Sequence, residues 1–259
     1  MTIAGPLYQF AHLETIYLGV LARRTLIATN VNRVVQAANG KPVLFFPARF
    51  DHWTVQGGDG YAARIGGAAL VSTDAQGAWW GATGAGTTPH ALIAACGGDT
   101  VKAAQLFNEN YPEANLIALV DFHNDSVKTA LEVARELGEK LWGVRLDTSD
   151  RLVDQSVDRT MERYPPTGVN PQLVQKVRQA LDNEGFEHVK IIVSGGFNQD
   201  RIASFEKDQV PVDAYGVGSS LLGGQFHFTA DVVQLNSQPM AKVGRQFNPN
   251  PRLIKLNWS

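Results

Sequence analysis

The chain has 259 residues, with 23 Lys and Arg against 25 Asp and Glu, for a formal net charge of −2. That balance excludes a protein that coats nucleic acid, which would be strongly basic, and leaves room for a local cationic pocket. Hydrophobic residues at 44% and charged residues at 19% exclude a disordered chain, and the single cysteine, Cys96, excludes an internal disulfide and a cysteine-rich zinc site.

The first stretch reads as helix over 7–38. Apolar residues recur there at helical spacing: Leu13, Ile16, Tyr17, Val20 and Leu21, then Leu26, Ile27, Val31, Val34 and Val35. Asn39-Gly40 ends the pattern and Pro42 follows. The start shows no basic segment leading into an apolar one, and no apolar run reaches the roughly 20 residues of a membrane helix. A cytoplasmic protein without membrane contact is therefore expected.

From residue 43 short apolar runs alternate with helical patterns. The runs fall at 43–46, 69–71, 116–120, 141–146, 189–193 and 214–217, with 82–85 as a weaker seventh candidate. The helical patterns fall at 60–68, 88–95, 100–110, 126–137, 171–184 and 199–207. Such alternation implies right-handed crossovers and a parallel sheet. Six or seven units in one run suggest a closed or nearly closed barrel more than an open sheet. From 226 to 258 the pattern changes to short strands without helices, at 226–228, 232–235 and 253–256. The expected division is a helical segment at 1–42, a barrel at 43–222 and a segment at 223–259 that returns to the first.

In parallel barrels the chemistry gathers where strands end. Asp121 follows the run at 116–120. In Gly143-Val144-Arg145-Leu146-Asp147, Arg145 and Asp147 share one face, because side chains alternate along a strand. Ser194-Gly195-Gly196 follows 189–193, and Gly216-Val217-Gly218-Ser219 ends the last run. Glycines there let backbone N–H groups approach an anion, and a following helix N-terminus favours it further. One such Gly pair is as well explained by a plain turn; two in succession at strand ends favour phosphate. Asp121 and Asp147 suit Mg²⁺ or ribose hydroxyls, with a helix N-cap as the plainer role for Asp121. Arg145 offers a planar fork for phosphate or carboxylate, or a salt bridge to Asp147. His90 lies in Thr87-Thr88-Pro89-His90, where Thr88 reads as the N-cap of a helix with Pro89 in its first turn. A lone His is more often a structural hydrogen-bonder. Phe46 and Arg49, at the end of the first run, could hold a flat anionic ligand by stacking and charge, although core packing is the commoner fate of such a Phe.

Together these motifs resemble the nicotinate phosphoribosyltransferase family of type II phosphoribosyltransferases, from about Gly5 to near the C-terminus. The most specific stretches are Gly86-Thr87-Thr88-Pro89-His90-Ala91-Leu92, Gly143-Val144-Arg145-Leu146-Asp147-Thr148, Val193-Ser194-Gly195-Gly196 and Tyr215-Gly216-Val217-Gly218-Ser219. The resemblance implies an α/β fold: an irregular, incomplete TIM-like barrel with a partial α/β sandwich region from the two chain ends. It implies synthesis of nicotinate mononucleotide and pyrophosphate from nicotinate and phosphoribosyl pyrophosphate, in NAD biosynthesis, with Mg²⁺. It also implies ATP as co-substrate through a phosphorylated histidine, and a homo-oligomer. His90 matches that histidine. Arg145 and Asp147 match the residues that hold the substrates, with Asp121 and Asp147 toward the metal. Ser194, Gly195, Gly196, Gly216, Gly218 and Ser219 match the 5′-phosphate turns. Phe46 and Arg49 match the ring-stacking pair, and Ser72 lies near the Ser that helps accept the nicotinate carboxylate.

The chain departs from the family's pattern at Asp121-Phe122-His123-Asn124, at Phe46-Pro47-Ala48-Arg49 and at Val71-Ser72-Thr73-Asp74. Asp74 leaves the choice between acid and amide open, since an acidic residue there favours the amide in related nicotinamide-using enzymes. The chain begins well inside the family's usual sequence, so the family's N-terminal part is expected to be missing. The alternatives are a truncated, non-catalytic binder of phosphate ligands, or an enzyme acting on nicotinamide or quinolinate.

Overall fold

The computed structural model describes residues 1–160 and 163–256. The chain divides into two compact units, Leu26–Gly224 and a unit made of both chain ends, Met1–Thr25 with Gln225–Ser259.

The helix expected over 7–38 is interrupted. It forms α1 (Leu7–Phe10), a 3-10 turn at Ala11–Leu13 and α2 (Glu14–Ala37), because Phe10 leaves helical conformation at φ −130°. Only the second part of α2 carries a buried stripe, Leu26, Ile27, Val31 and Val34. In the unit of the chain ends, no described residue is buried. Its one ladder among the described residues is the hairpin of β7 (Gln234–Leu235) and β8 (Gln238–Pro239). Asn236 and Ser237 between them both take positive φ, the geometry of a two-residue hairpin turn. The strands expected at 226–228 and 253–256 do not form. Phe226 and Phe228 instead stack ring on ring at 6.5 Å in a stretch without regular secondary structure. The end of the expected strand region, 257–258, lies outside the described residues.

The larger unit is a parallel sheet of six strands: β1 (Val43–Phe45), β2 (Leu70–Val71), β3 (Leu116–Leu119), β4 (Leu141–Leu146), β5 (Lys190–Val193) and β6 (Ala214–Val217). Their spatial order is β2-β1-β6-β5-β4-β3. This is the cyclic order of a barrel opened between β2 and β3, so the sheet is an incomplete TIM-like barrel. The helices that follow the strands are α3 (Gln56–Gly66), α4 (Asp74–Gly77), α5 (His90–Ala95), α6 (Thr100–Asn110), α7 (Ser126–Leu137), α8 (Pro171–Asn183) and α9 (Gln199–Lys207). The short α4 has no counterpart in the periodicity; the Thr73 hydroxyl caps it by accepting from Gln76 N.

Strand alternation sorts the side chains into two layers. Val43, Phe45, Val144, Leu146, Ile191 and Val193 enter the main core with Val133, Val174, Val177, Ile202 and Phe205 of the helices. Leu44, Ile117, Ile192 and Ala214 form a second, small cluster on the inner side, with Phe46 against it. Arg145 is out of phase with Val144 and Leu146 and so belongs to the inner side, as does Asp147 one step beyond the strand.

The expected seventh strand at 82–85 does not form. An irregular linker crosses the opening instead, with single bonds to each edge: Ala85 N donates to Val71 O at 2.8 Å and Thr88 N to Ile117 O at 3.0 Å. The Thr88 hydroxyl accepts from Leu119 N at 2.9 Å. Thr88 is therefore a buried staple of the barrel rather than a helix cap, and Pro89 occupies the cap position of α5. No helix among the described residues is long and apolar enough to cross a membrane.

Candidate active site

The C-terminal ends of the strands surround a cleft of about 530 Å³. Phe46, Arg49, Ser72, His90, Arg145, Asp147, Ser194, Gly195, Gly196, Gly216, Gly218 and Ser219 all line it. Asp121 stands behind this wall, its side chain only 7% exposed, and reaches the cleft through His90. Of the residues singled out in the sequence, Asp121 meets the cleft only through His90, and Asp74 lies outside it.

Asp147 is the best-held group. Its Oδ1 accepts from the Ser194 hydroxyl at 2.6 Å, and its Oδ2 from Arg145 Nη2 at 3.1 Å. The salt bridge and the shared strand face are thus one arrangement. Arg145 Nη1 also donates to Thr87 Oγ1 at 2.8 Å, so the guanidinium bridges β4 to the linker across the barrel opening. Its plane faces the Phe46 ring, 5.8 Å from the centroid. Arg49, in a 3-10 turn at Ala48–Phe50, lies over Phe50 at 5.1 Å instead. Phe46 and Arg49, expected to hold a flat anionic ligand together, both line the cleft, each beside another partner: Arg145 for Phe46 and Phe50 for Arg49. Thr87 and Phe50, with Phe197, are cleft residues that sequence reasoning did not single out. Thr87 had a signal, its place in the motif around His90; Phe50 had only its adjacency to Arg49.

Two consecutive glycines follow β5, Gly195 at φ +83° and Gly196 at φ +71°. Both conformations suit glycine because a Cβ would be strained there. Asn198 then caps α9 by accepting from Arg201 N at 2.9 Å. Gly216 is required for a different reason. A Cβ on it would lie 2.7 Å from Phe46 Cε2 and 3.2 Å from Ser194 Cβ.

His90 begins α5, and its Nε2 lies 3.4 Å from both Asp121 oxygens. The hydrogen bond to Asp121 is the main cause that raises the His90 pKa above its ordinary value. Burial opposes it, the charges of Asp121 and Asp147 add to it, and Arg145 acts against it. The N-cap role weighed for Asp121 falls to Asp125, which accepts from Lys128 N ahead of α7. Ser72 reaches the cleft, but its N–H and hydroxyl both donate to Gln76 Oε1, at 3.0 and 3.1 Å. Asp74 does not line the cleft; it lines a larger cavity that shares Ser72, Gly86 and Thr87 with the cleft, and it accepts from Gly84 N at 2.7 Å.

For Mg²⁺ the residues fit in part. Asp121 Oδ1 is buried and has no hydrogen-bond donor among the described residues, which suits a cation ligand. No group of three or more His, Cys, Asp or Glu among the described residues could hold a metal ion alone. Mg²⁺ takes one or two carboxylates and completes its shell with water and substrate phosphates.

Comparison with known proteins follows the same lines. Residues 27–225 match the family described as "Quinolinate phosphoribosyl transferase, C-terminal domain". The chain is 30% identical over 239 residues to nicotinate phosphoribosyltransferase pncB1 of Mycobacterium tuberculosis, covering 90% of this chain and 48% of that protein. It is 27% identical over 233 residues to nicotinate phosphoribosyltransferase of Bacillus subtilis, covering 86% and 42%. The chain spans about half the length of the curated relatives it matches. Among solved structures, nicotinate-nucleotide pyrophosphorylase from Pyrococcus furiosus superimposes with a TM-score of 0.77 at 36% identity, over 92% of this chain and 57% of that one. Human nicotinic acid phosphoribosyltransferase shares the fold, with a TM-score of 0.65 at 21% identity, over 94% and 55%. The chain belongs to the type II phosphoribosyltransferase family, in which it matches the quinolinate phosphoribosyl transferase C-terminal domain and has nicotinate phosphoribosyltransferases among its relatives.

Proposed function

We propose that the cleft joins nicotinate to phosphoribosyl pyrophosphate, giving nicotinate mononucleotide and pyrophosphate. The relatives named nicotinate phosphoribosyltransferase support the reaction. The observation that carries the choice of a monocarboxylate is the distribution of charge. Arg145 is neutralised by Asp147, whereas Arg49 has no carboxylate partner among the described residues. One unpaired guanidinium beside an aromatic floor matches a flat base with one carboxylate.

The pyridine nitrogen brings its own lone pair and forms the bond to C1 of the ribose. The C1–O bond to pyrophosphate breaks, and its electron pair leaves with the pyrophosphate. No base is needed, so the protein's work is positioning and charge stabilisation. Asp147, fixed by Ser194 and Arg145, is the carboxylate assigned to the ribose, where positive charge develops. Arg145 is assigned to the departing pyrophosphate, and the turns at Gly195-Gly196 and Gly216–Gly218, with Ser219, to the 5′-phosphate. Asp121 would hold Mg²⁺, with Asp147 as the other acidic group on that side; the ion supplies positive charge to the pyrophosphate when bound. Asp121 fixes His90 through Nε2, which leaves Nδ1 to take a phosphoryl group from ATP, with ADP as the leaving group.

Calorimetry with phosphoribosyl pyrophosphate, run beside a turnover assay, tests this reading. Binding with turnover is expected. Binding without turnover would instead support a non-catalytic phosphate-ligand binder, and absence of binding would remove both.

A second reading is favoured by the matching family's description and by the Pyrococcus furiosus neighbour: transfer to a pyridine dicarboxylate with loss of CO₂. It requires a second unpaired cation for the second carboxylate, and release of CO₂ distinguishes it.

A further inference from the structure

Arg201 does not line the cleft, yet it touches the loop that does. It sits in the first turn of α9, partly buried, with its guanidinium 4.3 Å over the Phe197 ring. Its Nη1 donates to Gly195 O at 2.9 Å, and its Nη2 donates to Val169 O. One side chain thereby ties the turn after β5 to the segment that precedes α8.

The Gly195 carbonyl and the Gly196 N–H belong to one trans peptide unit, in which the two bonds point in opposite directions. Holding the carbonyl on Arg201 therefore aims the Gly196 N–H away from Arg201. Gly196 itself lines the cleft. A guanidinium bonded to the carbonyl also polarises the peptide and strengthens its N–H as a donor. The fit is close: a Cβ on Gly196 would lie 3.4 Å from Arg201 Nη1. Arg can hold two carbonyls at once through its fork, which the ammonium of Lys, a point charge, does not reproduce.

We propose that Arg201 is a positioning residue for the phosphate turn, setting the direction of the Gly196 N–H by clamping the Gly195 carbonyl. The proposal rests on the reading of that turn as the 5′-phosphate site. Its ligand is a phosphate monoester on a pentose.

The test is the affinity of the folded protein for ribose 5-phosphate, by calorimetry well below each variant's melting temperature, in the wild type, Arg201→Met and Arg201→Lys. Loss of a hydrogen bond to a charged partner predicts that Arg201→Met weakens binding about tenfold or more. Arg201→Lys, which keeps the charge but not the fork, is expected to remain weaker than wild type. Nicotinate affinity, assigned to Phe46 and Arg49 rather than to the turn that Arg201 holds, should stay within about twofold. Unchanged ribose 5-phosphate affinity in Arg201→Met overturns the proposal, as does an equal loss for both ligands. Wild-type binding by Arg201→Lys also overturns it, since charge alone would then suffice. If Arg201→Met does not fold, Arg201→Lys is read against the same outcomes. A wild type that does not bind ribose 5-phosphate overturns the phosphate reading itself, a result distinct from any effect of the variants.

Discussion

Ser194 donates its hydroxyl to Asp147 Oδ1 at 2.6 Å, joining the ends of two neighbouring strands at the centre of the cleft. The bond fixes a carboxylate whose other oxygen is fixed by Arg145. Asp147→Asn keeps the shape but removes the charge. It should lower kcat by about 10²–10³-fold, the usual cost of one preorganised electrostatic group. Ser194→Ala only loosens the carboxylate and should cost about tenfold. Steady-state kinetics of both variants check the order, and full activity in Asp147→Asn would remove that residue from its assigned role.

His90→Ala should abolish ATP-dependent labelling of the protein and the ATP-dependent part of the rate. Labelling with γ-phosphate-labelled ATP, followed by acid and alkali treatment, reads this directly, because phosphohistidine is lost in acid and kept in alkali. Asp121→Asn should reduce labelling too, since the carboxylate that orients Nε2 is then neutral.

Gly216→Ala places a methyl group 2.7 Å from Phe46 Cε2. Phe46 must move, and the overpacking should cost about 1–3 kcal/mol of stability. The displaced ring should also raise KM for the pyridine base with little change in KM for phosphoribosyl pyrophosphate. Thermal melting and the two KM values check this.

Stability in acid should depend on Asp208. The hydroxyl of Tyr164 is the main cause that holds its pKa below the ordinary value, aided by the charges of Arg163 and Lys207. A lowered folded-state pKa means that the contribution is fully present above the unfolded value of about 3.9 and is lost as pH falls through the folded value. Asp208→Asn should therefore flatten the acid limb of the stability curve below about pH 4 and leave its slope near neutrality unchanged. Urea unfolding midpoints across that range check it.

The six strands and the helices from α5 onward were legible because each carries its own period, and because inward and outward faces alternate strictly, as in Leu44 between Val43 and Phe45. The strand ends also named Phe46, Arg49, Arg145, Asp147 and the Ser–Gly turns of the cleft. What was not legible depends on partners distant in the chain. Thr88 looks like a helix cap from its neighbours, but its hydroxyl is taken by Leu119 N across the barrel opening. The linker at 82–88 is held by single bonds to two edges, a pattern without period. Phe46 meets Arg145 because β1, β6, β5 and β4 are neighbours in the sheet, an order that no local period reveals. The apolar runs at 226–228 and 253–256 have the composition of strands, yet no strand among the described residues pairs with them.

The central claim is transfer of a phosphoribosyl group to a pyridine monocarboxylate in the cleft between Arg49 and Asp147. The most direct measurement is mononucleotide formation by the purified chain with nicotinate, nicotinamide or quinolinate, each with phosphoribosyl pyrophosphate and Mg²⁺, with and without ATP. Nicotinate mononucleotide should form fastest from nicotinate, faster still with ATP, and without CO₂. Product from quinolinate with matching release of CO₂, or preference for nicotinamide, would contradict it.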